Sequence, residues 1–432
     1  MYSELNPSIY KRKCKYNLIS SKPNIILPLM STLLIYLYNI YDSSILMIIG
    51  ILITLISLVV YDVKSNFYIL LFYLSNERMF MPISGGQTFI SIFIILFFVK
   101  TFIGNKGKIN GNFLICGIGI LIFMILKNLL LSTSPIDSDI IRFIFSSYIF
   151  ISILNMYKDD LNKLAYNSII WYSFGCLVTS LLSLFITLNK TTSLSLILFN
   201  RFTGFRNDPN YYAISIALAV SLLLIIFLIN KIKNFKILIF AFVLFIFGGL
   251  TLSRGYVVAN LPNLILLIMV FYKSGLKKKR TLIYFMFGII IFLSTGLFLS
   301  EITQTYALRF SVKDIDSGRL SIWLSYIEAL LGNVKNFFFG LGSFDKEIFF
   351  NEFGVSHVAH NIIIGSLVSN GFLLTISIIT TFYIIYLNFK KVSRIRNKLY
   401  YYLPFLTLIF GYMFLDGISS NIFFYGFCLS LL

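Results

Sequence analysis

The chain has only two histidines, and both lie in one short stretch, GVSHVAHNIIIGSLVSNG. His360 and Asn361 begin an apolar helix, which predicts the imidazole of His360 at one end of that helix. Imidazole takes up protons near neutral pH and can act as a general base towards a hydroxyl nucleophile. The alternative is a helix-cap role without chemistry. No metal site is predicted, because His357 and His360 lack nearby cysteines or a convincing carboxylate partner and the four cysteines are scattered.

Two arginines precede another apolar helix. The segment of residues 201–210 reads RFTGFRNDPN and leads directly into an apolar run. Guanidinium groups and free backbone N–H groups at a helix start would bind an anion such as phosphate. Alternatively, Arg201 and Arg206 reach out to lipid phosphates, and the Asp-Pro-Asn turn ending at Asn210 caps the helix.

Arg254 lies in the segment TLSRG, between two apolar runs with almost no loop between them. It is therefore predicted at or slightly below a membrane surface, where a charge is costly and commonly serves function. The alternative is a structural pair with a carboxylate such as Asp416. Arg309 and Arg319 fall in the same alternate set of inter-helix segments, and Arg319 belongs to the stretch GRLSIW.

The elements that carry these residues are apolar helices. Hydrophobic residues make up 58% of the 432 residues and charged residues only 12%. Apolar runs of about 20 residues recur along the chain, the length that crosses roughly 30 Å of hydrocarbon as a helix. The runs are continuous rather than alternating, which excludes a closed barrel. The predicted fold is all-α, a polytopic transmembrane helical bundle that forms a single integral membrane domain over residues 1–432.

We predict 12 to 14 membrane spans, numbers that follow from the count of apolar runs. The 14 runs lie near residues 24–40, 43–62, 66–84, 88–104, 112–131, 139–157, 166–187, 211–230, 234–252, 256–272, 281–300, 372–388, 398–416 and 419–432.

The charges between these runs alternate along the chain. With the N-terminus in the cytoplasm, every predicted inside loop is basic, whereas loops near residues 41, 132–138 and 417 carry almost no Lys or Arg. This positive-inside pattern favours 14 spans over 13 and predicts a multi-pass protein of the cytoplasmic (inner) membrane. The excess of Lys and Arg in the predicted cytoplasmic loops also explains the net charge of +19. A nucleic-acid partner is not predicted, because a soluble nucleic-acid-binding protein would not be so apolar.

Two predicted extracytoplasmic loops, at residues 188–210 and 301–358, are long and polar. A helical scaffold commonly carries function on such loops. The larger loop contains an amphipathic helix near residues 318–331, with apolar residues at three-to-four spacing: Leu320, Trp323, Leu324, Ile327 and Leu331. This helix either lies on the membrane interface or packs on the bundle as a lid.

The order of these motifs resembles the O-antigen ligase and polysaccharide polymerase superfamily (Wzy/WaaL-like). The motifs are RFTGFRNDPN before a span, then TLSRG, GRLSIW and GLGSF, and finally HN followed by a Ser-Asn-Gly turn. The similarity covers about residues 195–390. It implies a GT-C-like bundle with an extracytoplasmic active site, no metal and no cofactor.

The resemblance implies glycosyl transfer on the outer face of the membrane. Members of the superfamily join an oligosaccharide carried on undecaprenyl pyrophosphate to an acceptor glycan hydroxyl, with inversion. Carried over to this sequence, His360 would activate the acceptor hydroxyl, and arginines would offset the negative charge of the departing pyrophosphate. The implied pyrophosphate-binding residues are Arg201, Arg206, Arg254 and Arg319, with Asn210 and Asn361 in support.

The expected function is that of a polymerase for O-antigen, capsule or exopolysaccharide. Its expected partners are the undecaprenyl-pyrophosphate-linked donor and acceptor, membrane lipid and a chain-length regulator. One alternative is a ligase that transfers a finished glycan to lipid A core, although nothing in the chain suggests a lipid A core partner. The other is a flippase for the lipid-linked oligosaccharide, but the two halves of the chain show no convincing repeat of the kind common in carriers.

Overall fold

The structure, a computed structural model, describes residues 25–41, 43–75, 82–83, 87–131, 138–190, 202–204, 208–229, 235–273, 319–342, 349–351, 357–393, 399–413, 415 and 417–432. Regular structure within these residues is α-helical, apart from two short 3-10 turns and one small strand pair. The all-α prediction is confirmed to that extent.

The helices are α1 (Ile26–Tyr41), α2 (Ser44–Val60), α3 (Val63–Leu74), α4 (Phe89–Gly104), α5 (Gly111–Leu131), α6 (Ser138–Met156), α7 (Leu161–Lys190), α8 (Pro209–Ile229), α9 (Phe235–Gly249), α10 (Arg254–Ala259), α11 (Leu261–Lys273), α12 (Arg319–Leu331), α13 (Val334–Phe339), α14 (Ile362–Val392), α15 (Leu403–Tyr412) and α16 (Asn421–Leu431). The strands are β1 (Pro82–Ile83) and β2 (Gln87–Thr88), and the 3-10 turns are Lys158–Asp160 and Leu399–Tyr402.

Most helices coincide with predicted apolar runs, because an uninterrupted apolar run between polar turns favours a helix of matching length. The run predicted near 66–84 is the exception, since α3 ends at Leu74. The chain then forms an antiparallel pair in which Pro82 opposes Thr88. Proline lacks the backbone N–H that a helix interior requires, so Pro82 does not favour a helix that continues to residue 84. The run predicted near 281–300 lies outside the described residues.

Five of the described helices are long and apolar enough to cross a membrane: α5, α6, α7, α8 and α14. Shorter apolar helices, among them α1, α2, α4 and α9, accompany them. The lengths and compositions are compatible with a membrane protein.

The centre of the molecule is α8. Its residues from Tyr212 to Leu228 are buried, and α7, α9, α11 and α15 pack around it. The peripheral helices are different, because α2 and α5 expose large apolar residues such as Ile45 and Ile115. A helix that is apolar on all sides is either buried in a large core or surrounded by lipid. α8 is of the first kind, and the exposed apolar side chains of α2 and α5 are compatible with a lipid environment.

One end of the bundle is defined by the starts of α8 and α10 and the end of α15. The rings of Tyr211 and Tyr412 lie 6.2 Å apart between their centroids. The hydroxyl of Ser253 donates to Oδ1 of Asn210 at 2.7 Å, which joins the start of α10 to the start of α8. We call this the upper end.

The starts of α6 and α16 also lie at the upper end, and α14 passes them at Phe382, whose ring lies 5.2 Å from that of Phe143 and 5.6 Å from that of Phe423. Tyr412 is hydrogen-bonded to Ser420, which caps α16, at 3.1 Å. The ring of Phe143, near the start of α6, lies 5.4 Å from that of Phe424. α5 and α14 run antiparallel, because the end of α5 contacts the first part of α14 and Asn110, just before α5, donates to Asn388 at 2.9 Å.

Candidate functional site

The structure describes five of the seven predicted site residues: Asn210, Arg254, Arg319, His360 and Asn361. Arg201 and Arg206 lie outside the described residues, as do Arg309 and Asp416. The structure therefore bears on two segments, one around Arg254 and one around His360.

The Arg254 segment joins the motifs RFTGFRNDPN and TLSRG. The backbone N–H of Phe202 donates to the carbonyl of Leu250 at 3.3 Å. The side chain of Asn210 accepts a hydrogen bond from Ser253. The backbone N–H of Asn210 donates to the Asp208 carboxylate at 2.7 Å. The predicted turn thus starts α8 through Asp208, while the Asn210 amide links the two motifs instead of only capping a helix.

Arg254 itself is half-buried and is the first residue of α10. The preceding Ser253 caps this helix by accepting from the N–H of Tyr256 at 3.3 Å. Leu252 has a φ of 50°, in the left-handed region that non-glycine residues rarely occupy. The hydroxyl of Tyr256 donates to the carbonyl of Phe245 at 2.9 Å, which fastens α10 onto α9. The backbone that carries Arg254 is consequently held from both sides.

The His360 segment is held by α12, the helix of the GRLSIW motif. The indole N–H of Trp323 donates to the carbonyl of Ala359 at 2.6 Å. The hydroxyl of Tyr326 donates to the carbonyl of His357 at 2.8 Å. Next to these bonds lies a small hydrophobic core that is separate from the core of the main bundle. Its buried residues are Tyr326, Leu330, Phe349, Ala359 and Val368.

The register of these two bonds places Arg319 towards His360. Tyr326 bonds to residue 357, and Trp323, three residues earlier on α12, bonds to residue 359. The two segments therefore run in opposite directions. Arg319 lies one turn further back and on the same face of the helix, because residues four apart on a helix lie above one another. The next positions of the partner segment are His360 and Asn361. The register of α12 therefore directs its first turn, which carries Arg319, towards the backbone around His360.

His360 has a φ of 48° and is half-buried. The residue that caps α14 is Asn361, whose side chain accepts from the N–H groups of Ile363 at 3.0 Å and Ile364 at 3.2 Å. The cap role considered for the histidine therefore belongs to its neighbour. A left-handed histidine directly before a helix cap is an unusual backbone state, and such states are concentrated at functional sites.

α14 is sharply interrupted at Gly371, which has a φ of 71°. The hydroxyls of Ser366 and Thr375 are 3.0 Å apart, whereas a continuous helix would separate residues nine apart by about 13 Å. The interruption leaves the carbonyl of Val368 without its partner in the helix, and the N–H of Leu341 donates to it at 2.7 Å. The GLGSF motif and the Ser-Asn-Gly turn are thus in direct contact.

Two buried cations at the upper end were missed by the motif analysis. Lys127 of α5 is 5% exposed and donates to the carbonyl of Ser369, beside the interruption of α14. Arg142 of α6 forms an ion pair with Asp139 and donates to the hydroxyl of Ser91 at 3.0 Å. A charge inside an apolar run is a signal that sequence analysis can use, but both residues lie outside the motifs.

Arg254 and His360 are therefore each carried on a backbone fastened by hydrogen bonds. No protein-family model, curated protein or solved structure matches this chain. The functional assignment rests on the residues and on their arrangement.

Proposed function

We propose that this protein is a polytopic integral membrane protein of the cytoplasmic membrane, with 12 to 14 spans as its apolar runs predict, and a member of the O-antigen ligase and polysaccharide polymerase superfamily. In this proposal the upper end faces the outside, and the protein joins oligosaccharide repeat units carried on undecaprenyl pyrophosphate. The reaction is an inverting, metal-independent glycosyl transfer, and the expected products are polysaccharides such as O-antigen, capsule or exopolysaccharide.

The observation that carries this proposal is the docking of α12 on the histidine segment. Trp323 and Tyr326 hold the backbone on either side of residue 358, next to His360, and Arg319 lies on the same face of α12 as these two side chains. In this proposal Arg319 and Arg254 complete a site with His360, because a base and cations together suit a reaction that removes a hydroxyl proton and releases a phosphate.

The chemistry proceeds in one displacement. His360 takes the proton from the acceptor hydroxyl, whose oxygen attacks the anomeric carbon at the reducing end of the donor glycan. The bond between that carbon and the pyrophosphate oxygen breaks, and undecaprenyl pyrophosphate leaves with the electron pair. Attack from the side opposite the leaving group inverts the anomeric centre.

The guanidinium groups stabilise the leaving pyrophosphate. Negative charge grows on the pyrophosphate as it departs, and fixed cations in a site with little water stabilise that charge more strongly than water does. We assign this role to Arg254 and Arg319, and to Arg201 and Arg206 from the motif. Asn210 supports Arg254 by positioning the segment that carries it. Asn361 supports His360 by fixing the start of α14.

The test is an assay of the purified protein in proteoliposomes with a short lipid-linked repeat unit. A polymerase produces a ladder of products. A single shifted band with a lipid A core acceptor would indicate a ligase, and transbilayer movement of the lipid without bond formation would indicate a flippase. The proposal fails if no glycosidic bond forms while the lipid crosses the bilayer, or if His360→Asn leaves the ladder unchanged.

A further inference from the structure

α12 presents three different faces. Arg319, Trp323, Tyr326 and Leu330 are on the face that packs towards the histidine segment. Polar residues, Ser321, Ser325 and Glu328, form a second face. The third is an apolar stripe, and its residues are Leu320, Leu324, Ile327 and Leu331, with exposed fractions of 57%, 52%, 39% and 68%.

α13 adds two exposed apolar side chains. Val334 and Phe338 lie four residues apart on this helix, and they are 73% and 36% exposed. The extended backbone of Asn333 separates the two short helices, which together expose six large apolar side chains. A patch of that kind on a protein surface marks a contact with lipid or with another macromolecule.

The apolar surface of α13 adjoins α14. The ring of Phe337 stacks on that of Phe372 at 5.1 Å, and Phe338 lies 6.3 Å from the same ring. Further along α14, large side chains are again exposed on the side that Phe372 begins: Ile376, Ile379 and Tyr383. α14 is one of the helices long and apolar enough to cross a membrane, so the natural covering of this face is hydrocarbon.

We propose that α12 and α13 lie in the membrane interface and that the acyl chains of phospholipids cover the stripe. An amphipathic helix with one apolar face and one polar face binds the boundary between headgroups and acyl chains. The packing of α13 against α14 decides for lipid over a protein partner. Of the two roles predicted for this helix, interface or lid, the exposed stripe favours the interface.

The contact has a consequence for the site, and this consequence rests on the proposed function. The face of α12 opposite to the polar one holds the backbone of residues 357–359. A helix lying in the interface therefore holds His360 close to the depth of the lipid headgroups. That is the depth at which a lipid pyrophosphate presents its phosphates.

Site-specific photocrosslinking tests the lipid contact independently of activity. Benzoylphenylalanine is placed singly at Leu324 and at Leu331, and at Ser321 and Glu328 as matched controls on the polar face. The full chain is reconstituted in vesicles of phosphatidylethanolamine and phosphatidylglycerol and irradiated, and adducts are identified by mass. Phospholipid adducts are expected at 324 and 331 and are expected to be absent or much weaker at 321 and 328. All four positions are on the surface, and a monodisperse size-exclusion profile checks the fold of each variant.

A fifth variant, at Ile379 of α14, separates the two ways in which the experiment can fail. Lipid adducts at 379 without any at 324 and 331 would overturn the interface contact and leave the membrane placement intact. Protein adducts at 324 and 331 would overturn it in favour of a protein partner or a second copy. Equal lipid adducts at all positions of α12 would overturn the sidedness of the contact. If 379 also gives no lipid adduct, the membrane placement and this inference fail together.

Discussion

At the scale of single residues, the candidate site is built on strained backbone. His360 and Leu252 have φ values of 48° and 50°, a conformation that costs a non-glycine residue about 1 to 2 kcal/mol. Hydrogen bonds from Trp323 and Ser253 hold the neighbouring backbone and offset this cost. Both segments that were selected by residue type thus contain an unfavourable conformation, which supports a functional role for each.

The first prediction concerns the base. His360→Asn keeps a side chain that tolerates the left-handed region but cannot take up a proton near neutral pH. We expect polymer formation to fall by about 100-fold or more, with an unchanged melting temperature. The rate of product formation and the thermal unfolding of the same preparation measure this. Long products at a rate close to that of the parent chain would show that His360 is not the base.

The second prediction concerns the guanidinium groups. Arg254→Ala and Arg319→Ala should each slow product formation on the order of 100-fold. The corresponding lysine variants should recover only part of the rate, because a point charge cannot form the bidentate contact of a guanidinium fork with phosphate. Lys335→Ala is the control, since this lysine is exposed on α13. Full recovery by lysine would indicate that charge alone matters.

At the scale of elements, the site depends on how α14 is broken. The peptide of Gly340 packs on that of Gly371, which lets the GLGSF motif supply the N–H of Leu341 to the interrupted helix. Lys127 donates to the carbonyl of Ser369 from the other side. These contacts set the direction of the first part of α14, and hence the position of His360 at its start.

The third prediction tests this backbone contact. A Cβ atom at position 340 would lie 2.7 Å from backbone atoms, and one at 371 would lie 2.4 Å from them, and both glycines have positive φ. Gly340→Ala and Gly371→Ala should therefore each destabilise the protein by about 2 kcal/mol or more. Gly119→Ala is the matched control, because a Cβ there meets nothing within 4 Å. Thermal unfolding in lipid should show lower melting temperatures for the first two only; three equal values would rule out the close contact.

At the scale of the whole molecule, exposed lysines lie at the end of the bundle opposite to the upper end, among them Lys390 and Lys391 in the last turn of α14. There Lys64 also lies 3.5 Å from the carboxylate of Asp160. Basic residues concentrate on the cytoplasmic side of membrane proteins, which supports the proposed orientation.

The fourth prediction tests the orientation in intact cells. Lys335→Cys and Lys391→Cys place thiols at exposed positions towards opposite ends. A membrane-impermeant maleimide that adds mass should label the first variant in intact cells, and the second only after permeabilisation, when both are compared with the parent chain. Labelling of position 391 from outside would reverse the proposed topology.

The positions of the helices could be predicted from the sequence because they depend on local runs of apolar residues. α8 illustrates this, since a run predicted at 211–230 is a helix at Pro209–Ile229. The run predicted near 66–84 includes Glu77, Arg78 and Pro82, which interrupt its apolar pattern, and the helix ends before them at Leu74. The candidate residues of the site were selected by type, while the bonds of Trp323 to Ala359 and of Lys127 to Ser369 were not predicted, because those contacts depend on distant parts of the chain.

The sequence by itself determined that this is a chain of apolar helices, with basic residues concentrated in every second segment between the apolar runs and with arginine and histidine motifs among the others. Only the tertiary structure decided that Gly340 packs on Gly371, that Lys127 reaches the carbonyl of Ser369 across 242 residues, and which face of α12 holds the histidine segment. The reason is physical. Burial of apolar side chains follows a local period that a sequence displays, whereas the pairing of one backbone group with a distant one depends on how the completed helices pack.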